Sequence, residues 1–190
     1  CNPINDIRVE TVGPQFKGNK VKIAEDGEIL VKGENVMLGY WNNQEETDKV
    51  LKNGWLHTGD IGVFENTYLK ITDRKKDIII TPGGDNISPI KIENELVNSE
   101  LFEQAIVYGD NKPFLVALLV LNDEKKPSTE QKIKEEIEKV NIKLSKIENI
   151  KKYFIINEKF SIENGMLTPT LKLKRYKIIQ KYKNELEKLY

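Results

Sequence analysis

An aspartate directly after a glycine, as in Thr58-Gly59-Asp60, can hold out two carboxylate oxygens from a strand end to a diol such as the hydroxyl pair of a ribose. Taken alone, the triplet also reads as a turn in which the carboxylate caps backbone N–H groups. Gly83-Gly84 removes side chains from one stretch and permits positive φ, so a ligand could approach the backbone closely there. By itself that pair is a plain β-turn. Arg74 lies in the charged run Asp73-Arg74-Lys75-Lys76-Asp77, and Lys172 in Leu167-Thr168-Pro169-Thr170-Leu171-Lys172-Leu173-Lys174-Arg175. Alone, each is a solvated side chain. His57 is the single histidine; no Ser or Cys is spaced to partner it, which leaves it a packing or substrate-adjacent role. No residue cluster has metal-ligand spacing, and the chain holds no glycine-rich phosphate loop.

The order of these residues resembles the region that joins the large and small domains of the acyl-adenylate-forming enzymes, the superfamily of acyl-CoA synthetases, firefly luciferases and peptide-synthetase adenylation domains. The resemblance covers almost the whole chain. It implies that Asp60, in a Thr-Gly-Asp, holds the ribose of ATP and of the acyl-adenylate. It implies that Arg74 reaches the ribose and phosphate, where a fork of donors suits an anion. The family usually has glycine before that arginine; Asp73 resembles the long-chain fatty acyl subgroup. Lys76 matches the pivot residue, Asp or Lys in the family. Gly83-Gly84, with Asn86 to Pro89, match the loop lining the channel for the pantetheine arm of coenzyme A. Lys172 fits a Pro-Thr-x-Lys pattern with Arg175 three residues on. Its implied role is to bridge the acyl carboxylate and the α-phosphate, stabilising charge as the adenylate forms. Leu171 replaces the glycine many relatives have there, again in the long-chain manner, and Lys174 is the second candidate.

The implied activity is that of a long-chain fatty acid–CoA ligase, with ATP and CoA as substrates and Mg2+ accompanying ATP but without ligands in this chain. The expected partners are ATP or AMP, coenzyme A and fatty acid, with no nucleic acid. The expected location is cytoplasmic, with peripheral association at the inner face of the membrane. The enzyme alternatives are a fatty acyl-AMP ligase or a peptide-synthetase adenylation domain; the non-enzyme alternative is a stand-alone lid module. The opening Cys1-Asn2-Pro3, without methionine, fits a piece of a longer protein. The acyl tunnel and phosphate loop would lie upstream. The connection between Leu121 and Ser128 is shorter than in many long-chain relatives.

Composition bounds these readings. The 190 residues carry zero formal net charge, 38% apolar and 32% charged, as a soluble globular protein does. Residues 1–122 hold 13 Lys+Arg against 19 Asp+Glu, and residues 123–190 hold 17 against 11. The basic end alternates Lys with Glu and apolar residues at helical spacing, a solvated helix face rather than the aromatic-studded strip of single-strand binders. The one cysteine excludes an internal disulfide. The longest apolar run, Phe114 to Leu121, is strand-sized and far from the ~20 residues of a membrane-spanning helix.

The elements that must position these residues follow from periodicity. Val21-Lys22-Ile23 and Ile29-Leu30-Val31 form a hairpin about Asp26-Gly27, and Ile61 to Val63 forms a second with Tyr68 to Ile71. Asn43 to Lys52 reads as a helix stopped by Asn53-Gly54. Five consecutive charges read as a solvated connection, after which Ile78-Ile79-Ile80 starts a new core. Ser88-Pro89 opens a helix. Strands follow at Gln104 to Tyr108, Phe114 to Leu121 and Tyr153 to Ile156, an amphipathic helix runs through Ile133, Ile137, Val140, Leu144 and Ile147, and a last helix buries Ile179, Tyr182, Leu186 and Leu189. The expected class is α+β: the β-rich end of a large domain over 1–72, a hinge at 73–77, and a small α+β lid over 78–190.

Overall fold

Short β-branched runs separated by Gly, Asn and Asp favour strands joined by tight turns, and the first part of the chain folds that way. The structure, a computed structural model, describes residues 1–125 and 130–190, and all elements and partners given below are those among the described residues. Two compact units divide the chain, Cys1–Asp77 and Ile78–Tyr190.

The first unit is one antiparallel sheet of β1 (Gly13–Pro14), β2 (Lys20–Ile23), β3 (Glu28–Lys32), β4 (Leu51–Lys52), β5 (Trp55–Glu65) and β6 (Tyr68–Arg74), in the order β1-β6-β5-β3-β2 with β4 on β5. Helix α1 (Gln44–Val50) is capped by the Asn43 side chain, which accepts from the Glu46 N–H. It ends two residues earlier than the sequence reading. Leu51 and Lys52 pair with Leu56 and Trp55, and Asn53-Gly54, with φ of 53° and 76°, form the two-residue turn of a hairpin rather than a helix stop. The charged run is also corrected. Strand β6 continues through Arg74, with Asp73 opposite Ile61 and Arg74 opposite Asp60, and Asp73 is 2% exposed. Both charges sit on a paired strand, with Asp73 buried in it and Arg74 open to water.

The second unit begins with a ribbon of β7 (Ile79–Ile80) and β8 (Asn86–Ile87), then α2 (Pro89–Val97), β9 (Phe102–Tyr108), β10 (Leu115–Leu121), α3 (Glu130–Lys143), β11 (Ile150–Ile156), α4 (Arg175–Lys181) and α5 (Lys183–Glu187). Ser88 caps α2 by accepting from Lys91 N–H, with Pro89 in the first turn. Strand β10 is central, antiparallel to β9 and parallel to β11, the parallel pair being joined by a crossover through α3. Leu115, Ala117 and Leu119 pack with Ile92, Leu96, Ile133 and Ile137; Val116, Leu118 and Val120 pack with Phe160, Ile178 and Leu186. Helices therefore cover both faces, which is why β10 reads as an unbroken apolar run. Ile147, expected on the stripe of α3, lies beyond its end and is 51% exposed. The expected last helix is two, broken at Tyr182, whose φ of −101° leaves helical geometry; Ile178 and Leu186 are its fully buried residues. The connection between Leu121 and Ser128 falls partly outside the described residues.

Candidate functional site

Antiparallel pairing of β5 and β6 sets Asp60 directly across from Arg74, and cross-strand neighbours are close enough to interact. The Arg74 Nε lies 2.7 Å from Asp60 Oδ1, with the carboxylate 23% and the guanidinium 54% exposed. A half-buried carboxylate beside an exposed fork of donors can receive a diol and an adjacent anion together. Thr58 orients the turn before it: its hydroxyl donates to the Ile29 carbonyl at 2.7 Å and accepts from the Asp60 N–H at 3.1 Å.

Behind this turn stands Glu28, a residue the sequence reading did not single out. Its side chain is 6% exposed. It accepts from the Gly59 N–H at 3.0 Å and from Lys75 Nζ at 3.0 Å, and lies 3.0 Å from His57 Nδ1. Burial pushes the carboxyl up, but hydrogen bonds from His57, Lys75 and Gly59 outweigh it and hold its pKa below the usual glutamate value. The lone histidine is thus a partner of a buried carboxylate. Lys75 also reaches Asp26 at 2.6 Å, and its N–H donates to the Gly59 carbonyl at 2.8 Å. The charged run is pinned through Lys75, and beyond it the Asp77 N–H closes a turn on the Arg74 carbonyl at 2.9 Å. Lys76 is exposed, and among the described residues it has no ion-pair partner.

In the second unit, Ile79 and Ile87 bury the feet of the β7–β8 ribbon. The loop between them closes on itself: Thr81 N–H donates to the Asp85 carbonyl, and the Asp85 N–H to the Thr81 hydroxyl, each at 3.0 Å. Of the two glycines, Gly84 takes a positive φ, 87°. A Cβ built on Gly84 would meet nothing within 4 Å, so its backbone faces open space.

Lys172 ends a tight turn. Leu167 bridges Leu173, Thr168 N–H donates to the Lys172 carbonyl at 2.8 Å, and Lys172 N–H to the Thr168 hydroxyl at 3.0 Å. The Lys172 side chain is exposed. Leu171 has φ of 60°, a left-handed conformation that costs a residue with a Cβ roughly 1–2 kcal/mol. That geometry is the physical reason a glycine suits this position. Leu171 is 69% exposed, so Leu171→Gly removes little packing. It is expected to stabilise the chain by up to about 1 kcal/mol in urea unfolding, because relief of strain exceeds glycine's extra unfolded-state entropy; a loss of stability would contradict the strain argument.

The turn is fastened through Arg175. The Arg175 guanidinium donates to both carboxylate oxygens of Glu93, at 2.5 and 2.6 Å, and to the Val107 carbonyl at 2.9 Å; Glu93 in turn accepts the Val107 N–H at 2.7 Å. Val107 is on the edge strand β9, so the pair closes that edge. Glu93 comes from a helix on one face of the sheet and Arg175 from a helix on the other. Lys174 precedes Arg175 and is half-buried, which leaves Lys172 the more open cation. Asp60 and Arg74 thus meet in the first unit, while Gly83, Gly84 and Lys172 belong to the second. No group of three His, Cys, Asp or Glu among the described residues could hold a metal ion, and none of the described helices is long and apolar enough to cross a membrane.

Residues 76–190 match the family described as the AMP-binding enzyme C-terminal domain. The chain is 36% identical to a long-chain-fatty-acid–CoA ligase of Mycobacterium tuberculosis over 98% of its own length and 35% of the relative's. It is 38% identical to long-chain-fatty-acid–CoA ligase 5 of Rattus norvegicus, over 98% of the chain and 30% of the relative. The chain spans about a third of the length of the curated relatives it matches. Among solved structures, the A domain of carboxylic acid reductase from Segniliparus rugosus, in complex with AMP and a co-purified carboxylic acid, superposes with a TM-score of 0.81 at 25% identity, over 94% of this chain and 32% of that one. The O-succinylbenzoate coenzyme A synthetase of Bacillus subtilis in complex with AMP gives 0.71 at 30% identity, over 89% and 35%. The family match over residues 76–190 and the relatives along nearly the whole chain lead to one conclusion: this chain belongs to the adenylate-forming AMP-binding enzymes, and residues 76–190 are their C-terminal domain.

Proposed function

We propose that this chain is the C-terminal part of an ATP-dependent long-chain fatty acid–CoA ligase. Its reaction has two halves. A fatty acid carboxylate attacks the α-phosphate of ATP, forming acyl-AMP and releasing pyrophosphate; the thiol of coenzyme A then attacks the acyl carbonyl, forming the thioester and releasing AMP and a proton. The observation that carries this reading is the Lys172 turn. Its backbone is locked by Thr168 and fastened through Arg175 to a buried carboxylate, while its ammonium stays open. A cation held on a fixed backbone suits negative charge that develops between a carboxylate and a phosphate.

Asp60 and Arg74 hold the ribose and its phosphate. Residues 1–72 are the end of the large domain, 73–77 the connection with Lys76 as hinge, and 78–190 the lid, with the Gly83-Gly84 loop lining the pantetheine channel. One site that serves two different leaving groups needs a lid that moves. The Mg2+ expected with ATP finds no ligand group among the described residues, and no step is assigned to it. The relatives named as fatty-acid–CoA ligases support this reading over a peptide-synthetase domain or a non-catalytic lid. The test is release of AMP from ATP and a long-chain acid by the full-length protein. Release that requires coenzyme A supports the ligase; acyl-AMP that accumulates untouched by coenzyme A indicates a fatty acyl-AMP ligase instead.

A further inference from the structure

The β7–β8 ribbon has two residues in each strand, and a ribbon that short is not stable by itself in water. Its inner edge pairs Ile79 with Ile87 and Ile80 with Asn86. The N–H and C=O of one strand residue point to the same side, and at Ile80 that side is the outer edge. Both groups are satisfied there by one turn. Ile80 N–H donates to Asp110 Oδ1 at 3.0 Å, and the Ile80 carbonyl accepts from the Asn111 N–H at 2.8 Å. Ile80 directly precedes the loop that presents Gly83 and Gly84.

The turn that receives Ile80 is itself held. Lys112 N–H donates to the Gly109 carbonyl at 3.0 Å, closing it. The Tyr190 hydroxyl lies 3.3 Å from the Tyr108 carbonyl and 3.1 Å from the Phe114 carbonyl, one on each side of the turn. Lys112 Nζ reaches Glu187 at 2.7 Å and lies 4.9 Å from the centroid of the Tyr190 ring. Glu187 also accepts from the Tyr108 hydroxyl at 3.1 Å. A chain of bonded groups therefore runs from the end of α5, through the β9–β10 turn, to the residue that starts the glycine loop.

We propose that Asp110 is a positioning residue for the glycine-rich loop, fixing the ribbon against the β9–β10 turn so that Gly84 presents its open backbone to the pantetheine arm. The inference deepens the reading of that loop as the coenzyme A channel and rests on it. Asp110 touches neither substrate nor reacting atoms. Its effect is expected on the coenzyme A step alone, since among the described residues no hydrogen bond or ion pair joins this ribbon to the Lys172 turn.

The experiment uses the full-length protein with the two half-reactions assayed separately, and three variants. Asp110→Ala deletes the acceptor of the Ile80 N–H; it should raise the KM for coenzyme A about fivefold to tenfold, the worth of one hydrogen bond, and leave acyl-AMP formation unchanged. Asp110→Asn keeps an acceptor oxygen in place and should restore the KM. Gly84→Val places a branched side chain in the open space but at a positive φ that strains it; unchanged amide exchange at Thr81 and Asp85, whose N–H groups close the loop, separates a blocked channel from a distorted loop. If Gly84→Val impairs the thioester step while Asp110→Ala leaves the KM for coenzyme A unchanged, the positioning role is overturned and the channel reading stands. If neither variant affects that step, the channel reading fails and the inference with it. If Asp110→Ala lowers both half-reactions alike, the residue is only structural and the proposal is wrong. Amide exchange at Ile80 gives a readout independent of activity: it should accelerate in Asp110→Ala and return to the wild-type rate in Asp110→Asn.

Discussion

Lys172→Ala in the full-length protein is expected to lower acyl-adenylate formation by about 10²–10³, the loss typical of one preorganised donor to developing charge, while thioester formation from supplied acyl-AMP survives. The turn should persist in the variant, because its hydrogen bonds use the backbone of residue 172 and the Thr168 hydroxyl. A charge effect is thereby separated from a folding effect. Lys174→Ala should change adenylation little. Assaying pyrophosphate release and thioester formation from purified acyl-AMP checks both expectations, and an equal fall in the two would remove Lys172 from the adenylation step.

Arg175→Met is expected to destabilise the second unit by about 3–5 kcal/mol, the usual cost of removing one partner of a buried ion pair. The side chains of Arg175 and Glu93 are 13% and 9% exposed. Without the guanidinium, a buried carboxylate loses its cation and keeps the Val107 N–H, while the Val107 carbonyl at the β9 edge loses its Arg175 donor. Arg175→Lys should recover only part of the loss, since one ammonium cannot serve both the Glu93 carboxylate and the Val107 carbonyl as the two guanidinium nitrogens do. Urea unfolding of the chain measures both variants. A change below about 1 kcal/mol for Arg175→Met would mean that solvent screens the pair as it does at surfaces.

What the sequence disclosed and what it withheld divide along the range of the interactions. The hairpin at Asp26-Gly27, the cap at Ser88-Pro89 and the buried run of β10 are set by neighbours a few residues apart, and each was legible. Asp60 and Arg74 were legible as residue types, but only the β5–β6 register brings them to 2.7 Å. Glu28, Glu93 and Asp110 were missed. Each is one acidic residue among many, and its partners lie at least 14 residues away: Gly59 and Lys75 for Glu28, Val107 and Arg175 for Glu93, Ile80 for Asp110. Glu93 offered one faint signal, a charge next to the apolar Ile92 stripe of α2. Asp73 misled because a run of five charges reads as solvated until a strand pairs through it. The left-handed Leu171 was visible only as a departure from the glycine of many relatives; its φ supplies the reason.

The proposed lid serves two half-reactions by turning at Lys76, and Lys76→Pro is the direct test of that turning. Proline locks φ and restricts the residue before it. Lys76 is exposed, and its N–H makes no hydrogen bond among the described residues, so the cost to stability should be confined to the turn that the Asp77 N–H closes on the Arg74 carbonyl at 2.9 Å. In the full-length protein, with adenylation and thioester formation measured separately, one half-reaction is expected to fall sharply while the other persists. An equal effect on both, or none on either, would contradict it.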